Sequence, residues 1–289
     1  MQFQAAYLAV ILIWTTTPLA IQWSGQGNSF LFAVTGRMVI GTSIALILVW
    51  VFRLPMAWHR RARRTYLAAA IGIYGAMMTV YWSAQFIPSG WISVIFALSP
   101  IVTGIMAVRW LGESGLTPLK FVGMLLGITG MATIFYSGEQ LSGLAWLGVI
   151  GMLVSVILHS SSSVLVKKAG YRAHGLVITT GGLLVSVPLY LLTWFLTGSE
   201  WPASIPQRSA WSILYLGIVG SVLGFALYYF VLKHLGPTRV ALITLITPVT
   251  ALWLGHVLNG ERIDVTVIAG TGFILSGLGL YEWGARVVR

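Results

Sequence analysis

Two ionisable side chains, Arg37 and His159, stand well inside apolar runs of this 289-residue chain, away from their ends, and chemistry has to start from them. Arg37 lies about two turns into the run 30–52, and His159 lies within the run 143–166, followed by Ser160, Ser161, Ser162 and Ser163. A charged side chain at the centre of a membrane helix costs about 2.5–3.5 kcal/mol on insertion scales, so its presence points to a ligand or to strong internal partners. A guanidinium can grip a carboxylate through two parallel hydrogen bonds. Equally, Arg37 can snorkel outward or tie its helix to the carbonyls of a broken neighbour. An imidazole with an ordinary pKa of about 6.5 has three roles open to it at His159: lining a cavity, bonding between helices, or sensing a proton gradient.

Aromatic and hydroxyl residues recur at spacings that would build a wall beside these two. Tyr74, Met78, Tyr81 and Gln85 are spaced to share one helix face. Phe225, Tyr228 and Tyr229 mirror them in a later run, and Phe96, Ser99 and Thr103 stand opposite Thr244 and Thr247. An apolar, aromatic wall with scattered hydroxyls suits a small amphipathic solute better than a multiply charged one. The same stripe would serve equally for packing or for facing lipid. The serines after His159, Ser163 included, are either polar glue between helices or a wet wall. Trp58, Trp201 and Trp211, near the ends of runs, read as interfacial belt residues.

The carboxylates exclude other chemistries. Glu113, Glu139, Glu200, Glu261, Asp264 and Glu282 all fall at the ends of runs or between them. A nucleophile with its base, converging acids or a metal cluster would need such groups inside the spans. The chain has no cysteine, and His159 and His256 fall in different runs near opposite faces of the membrane. No catalysis, metal or other cofactor is expected.

The elements that position these residues are membrane helices. Hydrophobic residues make up 57% of the chain and charged residues 8%, against about 45–50% and 25% in soluble domains. A helix needs about 20 apolar residues to cross a core of about 30 Å, and ten such runs lie near 4–23, 30–52, 65–86, 90–110, 117–136, 143–166, 174–196, 209–231, 238–258 and 264–283. They are too long and continuous for barrel strands. The first lacks a basic leader and a cleavage site, and is expected to be a permanent span.

The net charge of +11 does not indicate nucleic acid, because the basic residues sit in short connections between runs. With the N-terminus inside, Arg53, Arg60, Arg61, Arg63, Arg64, Arg109, Lys120, Lys167, Lys168, Arg172, Lys233, Arg239, Arg286 and Arg289 are cytoplasmic. Only Arg208 and Arg262 fall on the other side. By the positive-inside rule both termini are then cytoplasmic.

The chain also repeats itself. Ser89 to Glu113 matches Pro237 to Glu261 at an offset of 148, pairing Ser99-Pro100 with Thr247-Pro248 and Gly112-Glu113 with Gly260-Glu261. The match reaches back to Tyr81 and Tyr229 and, after a one-residue slip, on to Gly123 with Gly270 and Gly130 with Gly277. Five runs per copy force the second copy upside down, so residues 1–140 and 141–289 are expected to be inverted repeats with a ligand site between them. Pro100 and Pro248 each remove a backbone bond inside a span and are candidate paired hinges. Gly123, Gly127, Gly130, Gly270, Gly272, Gly277 and Gly279 are expected to allow close helix packing.

Trp14, Arg37 and the two segments from Tyr81 to Glu113 and from Tyr229 to Glu261, each running through a proline to Gly-Glu, resemble the EamA-type branch of the drug/metabolite transporter superfamily. The resemblance covers nearly the whole chain. It implies a metabolite carrier, often an exporter, in which helices 1–4 and 6–9 surround a central cavity while helices 5 and 10 stay peripheral. Many members of that family carry an arginine at the position of Arg37 despite different substrates, which favours its structural role, and the position of His159 often carries a cavity-lining aromatic; Trp14 is placed with Arg37 and His159 in the candidate site. The expected function is secondary transport of an amino acid or similar small solute across a bacterial inner membrane, with solute and membrane lipid as partners. Lipid flipping is the alternative.

Overall fold

The computed structural model describes residues 2–113, 117–136, 143–235, 237, 240, 242–245 and 247–286. The boundary expected at 140/141 lies outside them, as do Glu139, Arg239 and Arg289. The described residues are helical almost throughout, because a backbone in hydrocarbon must satisfy its own polar groups. In chain order the helices are α1 (Gln2–Ser24), α2 (Phe30–Val51), α3 (Arg60–Ala70), α4 (Met77–Ser83), α5 (Ser89–Phe96), α6 (Ser99–Leu111), α7 (Pro118–Tyr136), α8 (Ala145–Ala169), α9 (Gly175–Leu196), α10 (Gln207–Tyr215), α11 (Gly224–His234), α12 (Thr247–Asn259) and α13 (Val265–Arg286). Two π-helical segments, Ile71–Ala76 and Leu216–Leu223, join α3 to α4 and α10 to α11, and a 3-10 turn, Leu242–Leu245, precedes α12.

Six helical stretches are long and apolar enough to cross a membrane: Gln4–Ser24, Phe30–Val51, Ser89–Leu111, Ala145–Ala169, Gly175–Leu196 and Gln207–His234. Pro118–Gly130 and Val265–Tyr281 are shorter apolar helices. The protein is a multi-pass membrane protein. The runs expected at 65–86 and 238–258 are not uniform α-helices, since the first contains a π segment and the second a 3-10 turn. Pro100 and Pro248 correct the expectation of a bond lost inside a continuous helix. Each stands second in a new helix, α6 or α12, where a missing N–H leaves no intrahelical acceptor unpaired.

Contacts between the two halves are reciprocal. α1 packs on α10, α11 and α12 of the second half, and α8 packs on α3, α4 and α6 of the first. α2 packs on α9, and α7 and α13 pack chiefly on each other. At the α7–α13 contact the backbones touch, because a Cβ on Gly123 would strike the Gly277 carbonyl and one on Gly130 the Gly270 carbonyl. Gly272 and Gly279 face open space instead, so the packing role expected of them does not hold.

One end of the bundle carries the α1–α2 turn together with the starts of α5 and α10 and the end of α12, joined by Asn28 to Ser209 and by Glu261 to Ser89. The opposite end joins the α2–α3 and α8–α9 connections through His59 and Tyr171, and α8 to the end of α11 through Lys167 and Leu235. The elements place Arg208 and Arg262 at the first end, and Arg53, Arg60, Arg61, Arg63, Arg64, Arg109, Lys167, Lys168, Arg172 and Lys233 at the other.

A π turn shifts the backbone hydrogen-bond ladder and leaves carbonyls in need of donors. In Ile71–Ala76 these donors come from the other half. Tyr190 Oη donates to the Ile73 carbonyl at 2.7 Å and lies 3.2 Å from that of Tyr74. Ser155 Oγ donates to the Ala76 carbonyl at 2.9 Å. Removing such a buried bond leaves a carbonyl unsatisfied, at about 1–3 kcal/mol. Tyr190→Phe is therefore expected to lower the unfolding free energy in detergent by about that much. Ser161→Ala, whose hydroxyl bonds its own helix at Ile157, should change it by less than about 0.5 kcal/mol.

Candidate functional site

Arg37 crosses from α2 to the second half. Its Nε donates to Ser221 Oγ at 2.8 Å, and its Nη1 lies 3.4 Å from the Tyr81 hydroxyl. The guanidinium carbon sits 5.9 Å from the centre of the Tyr81 ring and 6.0 Å from that of Phe225, within range for cation–π attraction. Small residues on the π segment make room for it. A Cβ on Gly220 would lie 3.1 Å from Nη2, and one on Gly217 would lie 3.2 Å from the Arg37 carbonyl. Arg37 is 1% exposed, and no carboxylate is among its partners in the described residues. Two of its five N–H donors find these partners among the described residues.

Beside it lies an internal cavity of about 70 Å³, room for a small cluster of waters. Trp14 and Thr17 of α1, Ser93 and Phe96 of α5, and Thr247 of α12 form much of its wall. His159 of α8 enters it among three rings, with centroids 5.6 Å from Trp14, 5.1 Å from Phe96 and 5.4 Å from Tyr228. It makes no hydrogen bond among the described residues, so its nitrogens remain for whatever occupies the cavity. Pro18 also lines this space, and having no N–H it leaves the Trp14 carbonyl four residues back without its helical donor. Ile21 borders both this cavity and a second space lined by Gln22, Gln26, Tyr81 and Gln85 near the α1–α2 turn.

Of the residues singled out by sequence, the structure brings Trp14, Arg37, Phe96, His159, Phe225, Thr244 and Thr247 to one cavity. Tyr81 and Gln85 line the neighbouring space. Four others, Tyr74, Ser99, Ser163 and Tyr229, lie elsewhere. Tyr74 hydrogen-bonds Thr193 at 2.6 Å and packs on Tyr190, because the π turn breaks the periodicity that would align it with Tyr81; Met77 and Val80 face the cavity instead. Ser99 is buried, donating to the Phe96 carbonyl at 2.6 Å, and Ser163 donates to the Ser160 carbonyl at 2.8 Å. Tyr229 is buried against Tyr228, 5.2 Å between rings. Ser160 and Ser162 bond Thr103 and the Ala68 carbonyl on neighbouring helices, as glue.

Thr17 and Ser93 escaped the sequence reading, although each stands three residues from a residue it did select, Trp14 or Phe96, on the same helical face. Ser221 carried no such signal, since it becomes a partner of Arg37 only when the halves meet.

A polytopic helical bundle with a part-polar cavity walled by both halves is built as a membrane transport protein. The chain matches the EamA-like transporter family over residues 4–136 and again over residues 146–282, and it belongs to that family. It is a transporter and not an enzyme. It is 25% identical over 260 residues to the uncharacterized transporter YvbV of Bacillus subtilis, covering 86% of this chain and 83% of that one. It is 23% identical over 262 residues to a probable terminal-alkyne amino-acid exporter of Streptantibioticus cattleyicolor, covering 85% and 86%. A solved crystal structure superposes with a TM-score of 0.72 at 18% identity, covering 99% of this chain and 98% of that one, a likeness of fold.

A buried cation is costly to keep, so replacing it with an apolar side chain of similar length is expected to be nearly neutral for stability. Arg37→Met combined with Ser221→Ala should unfold within about 1 kcal/mol of wild type. Arg37→Ala alone, which strands two hydroxyls, should lose about 1–3 kcal/mol. Denaturation in detergent followed by tryptophan fluorescence reads both. A loss of several kcal/mol in the double variant would make Arg37 a structural clamp.

Proposed function

We propose that this protein is a secondary carrier of a small amphipathic metabolite, an amino acid or similar solute, and that it exports that solute across a bacterial inner membrane. Ten spans, arranged as two inverted five-helix repeats with both termini in the cytoplasm, would rock about the central cavity in alternating access, with Pro100 and Pro248 as paired hinges. The observation that carries the reading is the cavity itself: one buried guanidinium, an imidazole framed by aromatic rings and several hydroxyls, with no carboxylate among the described residues that line it. A solute carboxylate would meet Arg37, and its apolar part would lie against Trp14 and Phe96. The similarity to an amino-acid exporter and the concentration of basic residues at one end support the substrate class and the orientation.

Lipid flipping has one observation in its favour. A groove of about 440 Å³ between α1, α10 and α12, bordered by Trp23, Arg208, Trp211 and Leu258, offers an apolar channel with a cation beside it.

Thermal-shift measurement of the purified protein against separate panels of amino acids, purines, quaternary amines and lipid-linked sugars tests both readings. Stabilisation by a water-soluble amino acid or carboxylate is expected. Trp14→Ala and His159→Ala should weaken it about tenfold or more, the cost of losing one buried contact of about 1.4 kcal/mol. Tyr74→Phe, away from the cavity, should leave it intact. Stabilisation by lipid-linked compounds alone would replace this reading with the flippase.

A further inference from the structure

We infer that Glu261, in the second of the two Gly-Glu pairs of the repeat, is a latch that closes the end of the transport path carrying the α1–α2 turn. The inference rests on the alternating-access reading above.

The two glutamates leave their helices through the same turn. α6 ends at Gly112, φ +69°, and α12 ends at Gly260, φ +66°, a left-handed conformation that glycine adopts without a Cβ clash. In each, the glutamate N–H closes back on the helix, Glu113 to the Ala107 carbonyl at 3.4 Å and Glu261 to the Gly255 carbonyl at 3.2 Å. Ala107 and Gly255 are themselves 148 residues apart. The chain thus presents two carboxylates on equivalent turns, at opposite ends of the bundle.

Glu261 shows what such a carboxylate does. Its Oε1 accepts from Ser89 N at 3.1 Å, Ser89 Oγ at 2.7 Å and Asn259 Nδ2 at 3.0 Å, and its Oε2 accepts from Gly90 N at 3.2 Å. Ser89 and Gly90 open α5, whose first N–H groups have no helical acceptor and carry the positive end of the helix dipole. Asn259 extends the joint to α1, donating to Gln22 Oε1 at 3.0 Å and accepting from Trp23 Nε1 at 2.9 Å. The fit is close, since a Cβ on Gly255 would strike the carboxylate and one on Gly90 would come within 3.1 Å of Leu252 Cα. One carboxylate of the second half therefore holds two helices of the first.

Those helices carry the cavity wall. Ser93 stands one turn beyond Ser89 on α5, and Thr247 begins α12. α5 cannot leave α12 at this end until Glu261 gives up the opening N–H groups of α5. The joint is not repeated in the same chemistry, because Pro237 occupies the position of Ser89 and offers neither an N–H nor a hydroxyl, and Leu111 occupies that of Asn259.

The chain has no cysteine, so spin labels can be placed without altering the background. Labels at Gln85→Cys and Arg262→Cys flank the Glu261 latch, and pulsed EPR of the full chain in lipid nanodiscs reads its open and closed populations. Glu261→Gln is expected to raise the open-to-closed ratio at this end about tenfold, the worth of charge-assisted hydrogen bonds exchanged for neutral ones. Ser89→Ala should raise it less. Two populations whose ratio Glu261→Gln leaves unchanged would overturn the latch while leaving alternating access standing. A single unvarying distance in wild type and in every variant would overturn both.

Discussion

A guanidinium held inside a membrane bundle with no carboxylate beside it among the described residues is the constraint from which the rest of this structure follows. Arg37 is kept by one firm hydrogen bond to Ser221, a longer contact to Tyr81 and the faces of two rings. Those partners come from both halves of the chain, so the halves must meet at Arg37. To meet there, α2 needs a small-residue surface opposite it, which Gly217 and Gly220 provide, and α11 needs to bring Phe225 over the cation. Its remaining donors are left at the edge of a cavity whose other walls carry aromatic rings and hydroxyls.

Irregular backbone surrounds this centre. Each half has a π segment in its third run, and each half begins a helix at a proline-containing pair, Ser99-Pro100 or Thr247-Pro248. In water such departures would be satisfied by solvent; in a bilayer each freed carbonyl needs a protein donor or a wet cavity. Tyr190 and Ser155 supply donors at the first π segment, and they come from the opposite half. The breaks therefore bind the halves together at the same time as they open space between them. That combination suits a carrier, whose site has to be both assembled and undone.

Much of this was legible in the residues, and the failures have physical causes. Continuous apolar length marked the chain as helical and membrane-spanning, because that property survives without knowledge of contacts. Arg37 and His159 stood out because ionisable groups are rare in apolar runs. Tyr74 was misplaced because a face counted at helical spacing assumes an unbroken α-helix, and a π turn stands between it and Tyr81. Pro100 and Pro248 read as interruptions because a proline's position within a helix depends on where the helix starts, which the surrounding Leu, Ile and Val do not mark. Ser221 and the carboxylate joint at Ser89 were out of reach, since each pairs residues more than 150 positions apart.

Solute exchange in proteoliposomes tests the central claim, that this cavity and its buried cation form the site of an alternating carrier, most directly. Vesicles loaded with radiolabelled amino acids would be diluted into buffer with and without the unlabelled mixture outside. A carrier of this kind predicts that outside solute accelerates the loss of label, and that Arg37→Met, though folded, abolishes both the acceleration and the flux. Flux through Arg37→Met equal to that of wild type would contradict the account.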